Sequence, residues 1–99
     1  MRMLATARIP VETGNEALKN GTLPKIMESI LDTMKPEAAY FTPDQGERTA
    51  FLFFDMQESS QMPILLEHFF LELNAKVTIQ PVMNSDELRK GLGELMGGR

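Results

Sequence analysis

His68 is the only histidine in the chain. It is therefore the one side chain whose ordinary proton affinity lies near neutral pH, as a general acid or base requires. A second set of residues could line a small-molecule site. Arg8 stands beside Thr6 on one segment, Tyr40 and Thr42 lie on another, and Thr78 and Gln80 on a third. Projected from one sheet face, with Phe51 or Phe54 as an apolar wall, they would combine orienting polar groups with apolar surface. An arginine placed there needs a carboxylate, from a ligand or from Asp55 or Glu37. Each reading has a plainer counterpart: His68 as a surface histidine, and Arg8 as half of an internal ion pair whose hydroxyl neighbours satisfy one another.

Other chemistries find little support. There is no cysteine, which removes disulfides, thiolate metal sites and thiol nucleophiles together. One imidazole without a second nitrogen or thiolate ligand does not build a transition-metal site. The eight methionines include Met27, Met34 and Met62 at core-type positions, where methionine fills irregular gaps. Ser59-Ser60 lacks the Gly-x-Ser-x-Gly setting of a nucleophile and reads as a helix cap. Gly91-x-Gly93 lacks the strand-loop-helix context of a phosphate cradle. Nothing here calls for a cofactor.

The elements that must position these residues follow from apolar periodicity. Residues 3–11 read as a strand, with Met3, Ala5, Ala7 and Ile9 on one face and Leu4, Thr6 and Arg8 on the other. Residues 12–21 are polar and turn-rich, with room for a short helical turn at 15–19. Residues 22–34 read as a helix capped by Thr22, with Pro24 in its first turn and Pro36 ending it. Residues 38–42 and 48–55 form a hairpin around a loop at 43–46 that contains Gly46. Residues 60–73 read as a helix begun by Ser59 or Ser60 and stopped by Asn74. His68 lies off its apolar stripe, on the side of Ile64 and Leu71. Residues 76–83 read as a strand that Pro81 confines to a sheet edge. Residues 85–96 read as a final helix, and residues 97–99 as a frayed end.

That order is β-α-β-β-α-β with an added helix, the split-βαβ order of ferredoxin-like α+β domains. Ninety-nine residues suit one such domain. The formal charge of −4 with scattered acids argues against nucleic acid and anionic membranes. No apolar run spans a bilayer and no leader is visible, so the expected location is cytoplasmic. Residues 50–54, Ala-Phe-Leu-Phe-Phe, are apolar on both faces. Helices cover one face of a sheet, and a second subunit is the expected cover for the other.

Three stretches carry a resemblance. Residues 35–42 (Lys-Pro-Glu-Ala-Ala-Tyr-Phe-Thr), residues 69–75 (Phe-Phe-Leu-Glu-Leu-Asn-Ala) and Pro81-Val82-Met83 resemble a group of small, uncharacterised bacterial proteins in the dimeric α+β barrel superfamily. The resemblance implies a homodimer in which two four-stranded sheets pack face to face. It does not select an activity, because that superfamily includes quinol monooxygenases without cofactors, haem-degrading enzymes, isomerases and members with no known activity. The chain has no tryptophan, which haem-degrading members use against the macrocycle, so haem is not expected. Two functions follow as expectations. One is a binding or interaction domain for a small apolar or aromatic molecule, with Arg8, Tyr40, Phe54, His68 and Gln80 as ligand-binding candidates. The other is a cofactor-independent monooxygenase or isomerase acting on an aromatic or quinol-like substrate.

Overall fold

The computed structural model describes residues 1–97. Its central element is one antiparallel sheet in the order β2-β3-β1-β4, built from β1 (Arg2–Ile9), β2 (Ala38–Asp44), β3 (Glu47–Asp55) and β4 (Lys76–Pro81). With four helices the fold is α+β, and its order and topology are consistent with a ferredoxin-like fold. The strands pair as alternation demands: Ala5 faces Leu52 on one side and Ile79 on the other. Pro81 ends β4 at the sheet edge, where its missing N–H breaks no ladder. Pro43 lies in the opposite edge strand, β2, for the same reason.

The hairpin is tighter than its sequence suggests. Pro43 and Asp44 belong to β2 and Glu47 to β3, leaving Gln45-Gly46 as a two-residue turn. Both have positive φ, 54° and 79°, the backbone twist that suits a two-residue hairpin.

The polar stretch after β1 also departs from expectation, because it forms a full helix, α1 (Val11–Lys19). Its signal is faint: it buries only Gly14 and Ala17. Gly21, with φ 78°, then precedes α2 (Thr22–Met34). Thr22 is thus the first helical residue rather than the cap. Its hydroxyl and its N–H both bond the Asn20 side chain, at 2.7 and 3.0 Å. Lys35 takes a left-handed conformation and leads into Pro36. A 3-10 turn at Ser59–Gln61 precedes α3 (Met62–Leu73). There the Gln61 side chain, and not a serine, receives the Gln57 N–H at 2.7 Å. Asn74, in the left-handed region, ends α3.

The core lies between the sheet and these three helices. Met3, Ala5, Ala7 and Ile9 of β1, with Ala50, Leu52 and Phe54 of β3, meet Ile30, Met34, Leu65, Leu66, Phe69 and Leu73. At 20–33 cal/mol for each Å² of apolar surface removed from water, such rows supply the main drive to fold. The opposite sheet face carries Leu4, Phe51 and Phe53 half-buried and Tyr40 exposed.

The last helix, α4 (Ser85–Leu95), buries no residue. It is well started: Asn84 accepts from the Glu87 N–H, and the Glu87 side chain accepts from the Asn84 N–H, both at 2.8 Å. Its root is tied by Glu87 to Arg2, which also holds Glu37 at 3.3 Å. Beyond that root it projects from the body. The radius of gyration is 16.1 Å, against about 13 Å for a compact domain of this length. Of the frayed end expected at residues 97–99, residues 98 and 99 lie outside the described residues.

Candidate functional site

Sheet register sorts the expected site residues. Arg8, Tyr40, Phe51 and Gln80 share the face that the first three helices leave open. Tyr40, Phe51, Thr6 and Thr78 form one cross-strand row, and Ala38, Phe53, Leu4 and Gln80 the next. Tyr40 is 64% exposed, and Gln80 and Thr78 are also exposed. Phe54 does not share that face. It is fully buried in the core on the other side, because an even-numbered β3 residue faces the helices here. Phe51 is the aromatic side chain that stands with the polar row.

Arg8 has an internal partner. Its Nη2 and Nε donate to Asp44 Oδ2 at 2.6 and 3.2 Å. The acid is neither of those expected: Asp55 accepts from the Gln57 amide at 2.7 Å, and Glu37 holds Arg2. Asp44 supplies it because β2 runs through Pro43 to the turn.

His68 lies across the sheet from Arg8, on the outer surface of α3. Its Nδ1 is 2.6 Å from Glu72 Oε2, one helical turn on, and both side chains are more than two-fifths exposed. Ile64 and Leu71 flank it in solvent. The five candidates therefore divide into three places: the open face for Arg8, Tyr40 and Gln80, the core for Phe54, and the far helix surface for His68.

A mostly apolar concavity lies elsewhere. A groove of about 420 Å³ runs between the first turns of α2 and the β2–β3 hairpin, on the helix side of the sheet. Leu23, Pro24 and Met27 form its helix wall, while Phe41, with the nearly buried Ile9 and Ala50 beneath it, contributes to the strand wall. This volume is within the usual range for small-molecule sites, which are mostly apolar with a few polar groups. The charged residue in its lining is Arg48.

No protein-family model matches this chain, and no curated protein matches it.

Arg48 is half-buried, paired across the sheet with Ile9 on one side and Pro43 on the other. Its guanidinium lies against α1, where a Cβ on Gly14 would fall 2.6 Å from Nη1. Among the described residues it makes no ion pair or side-chain hydrogen bond, whereas Arg2, Arg8 and Arg89 each hold a carboxylate. The sequence carried a sign of this that was missed. Arg48 is in phase with Ala50, Leu52 and Phe54, so it is the one charge in an otherwise apolar, inward-facing row. The rest of the groove was illegible, because it needs α2 and the hairpin side by side.

Among the described residues, no group of three His, Asp or Glu side chains is placed to hold a metal ion, and no helix is long and apolar enough to cross a membrane.

Proposed function

We propose that this protein is a homodimeric domain that binds a small apolar or aromatic molecule, as its likeness to dimeric α+β barrel proteins suggests. The carrying observation is the groove between α2 and the hairpin, whose walls are mostly apolar side chains (Leu23, Met27, Phe41, Ile9 and Ala50). It replaces the open sheet face as the preferred ligand site. On that face Arg8 is already neutralised by Asp44, and the face is better suited to covering by a second copy. Nothing in the geometry favours a monooxygenase or isomerase. Arg8 and His68 stand on opposite sides of the sheet, each with a carboxylate partner within the chain.

The test is a titration of the labelled protein with neutral apolar probes, 1-decanol and 2-naphthol, followed by amide and methyl chemical shifts. Saturable shifts concentrated on Ile9, Leu23, Met27 and Ala50 are expected. A Met27→Trp variant, which fills the groove, should lose them. Shifts confined to Tyr40, Phe51 and Phe53, or no saturable shifts for either probe, would overturn the assignment of the groove.

A further inference from the structure

We infer that the ligand of this groove is an organic anion, an apolar or aromatic body carrying one carboxylate, and that Arg48 is the residue that holds its charge. The inference rests on the binding reading above and adds the ligand's chemical class and the residue that selects it.

Three observations support it. First, Arg48 is half-buried without a counter-charge among the described residues, although Arg2, Arg8 and Arg89 each have one. Removing part of a guanidinium's hydration without a partner is costly, and a bidentate carboxylate restores what is lost. Second, Arg48 is the charged residue in the lining of an apolar groove, with its guanidinium against the neighbouring Gly14 of α1, so an apolar body in the groove can carry a charged head toward it. Third, the groove borders the first turn of α2. That turn contains no acidic residue to repel an anion. Glu12 and Glu16 of α1 line a separate shallow pocket, and neither is within ion-pair distance of Arg48 among the described residues. The chain as a whole is acidic, at −4, so its overall charge does not attract anions. Selection for an anion must come from this local arrangement.

Gly14 is the positioning residue. Its missing side chain leaves the space in which the Arg48 guanidinium lies. A Cβ there would come within 2.6 Å of Nη1 and 3.3 Å of Cδ. These atoms belong to a flexible side chain, so a methyl group would displace the guanidinium without breaking the fold.

Matched probes test the inference: decanoate against 1-decanol, and 2-naphthoate against 2-naphthol, at pH 7 and low salt. Wild type should prefer each carboxylate by about tenfold or more, as a charge-assisted pair predicts. That preference should fall with added salt. In Arg48→Met it should vanish while the neutral probes keep their affinity. Gly14→Ala should reduce it, and a thermal melt would establish that this variant remains folded. The two pairs of probes distinguish a chain-like body from a ring. Equal wild-type binding of acid and alcohol would overturn the inference and leave the groove reading intact. So would a carboxylate preference that survives Arg48→Met. Failure of all four probes to bind would instead remove the groove reading itself.

Discussion

Two phenylalanines, one residue apart in β3, show how position decides what a side chain does. Phe54 is fully buried against the helices, whereas Phe53 is half-exposed on the opposite face. Truncating a buried phenylalanine loses its transfer energy and leaves a cavity, at a cost of about 3–5 kcal/mol. Phe54→Ala should therefore lower the denaturant midpoint by that equivalent in urea unfolding at fixed protein concentration. A loss under 1 kcal/mol would mean that Phe54 is not a core residue. The same alternation governs Arg48, whose place in an apolar row was available in the sequence. The partner of Arg8 was not. Choosing among Asp44, Asp55 and Glu37 requires knowing where β2 ends, and Pro43 reads as a loop until its strand is known to be an edge.

At the scale of elements, legibility followed the strength of apolar periodicity. α2 and α3 carry regular apolar stripes, and the structure places both close to the limits that their periodicity predicts. α1 buries a glycine and an alanine, so its helical period left almost no apolar trace. The helix expected over residues 85–96 is α4, and the structure adds its cap: Asn84 and Glu87 exchange reciprocal bonds there. This start is sensitive to pH. The Asn84 N–H, and secondarily the Arg2 guanidinium, hold the Glu87 carboxyl below its usual range. A carboxyl lowered in the folded state contributes stability above its unfolded value, and that contribution disappears as pH falls through the folded value. The helical signal at 222 nm should thus decline below about pH 4, and more steeply in wild type than in Glu87→Gln, which has no charge to lose. Identical pH profiles would show that Glu87 does not stabilise α4.

For the whole molecule, two unpartnered surfaces call for one explanation. An isolated helix of 11 residues is marginal in water, and each interior glycine, here Gly91 and Gly93, costs about 1 kcal/mol relative to alanine. α4 nevertheless presents Leu88, Leu92, Leu95 and Met96 to solvent, spaced along one helical stripe. The sheet meanwhile exposes Tyr40 and leaves Leu4, Phe51 and Phe53 partly covered. In the proposed dimer a second copy covers both surfaces. Large aromatic side chains bury about 150–250 Å² each, and a stable interface needs about 800 Å² per partner. With Phe51 and Phe53 already partly covered, the sheet face alone falls well short of that area, and the exposed α4 stripe adds to it. The arm and the sheet should accordingly act together. Sedimentation equilibrium at micromolar concentration should give twice the chain mass of 11.1 kDa for wild type. Phe51→Asp with Phe53→Asp should yield monomer, and Leu88→Glu with Leu92→Glu should weaken association at least tenfold. A monomeric wild type would remove the proposed dimer. A dimer indifferent to the α4 substitutions would confine the interface to the sheet and leave the arm without a role in it.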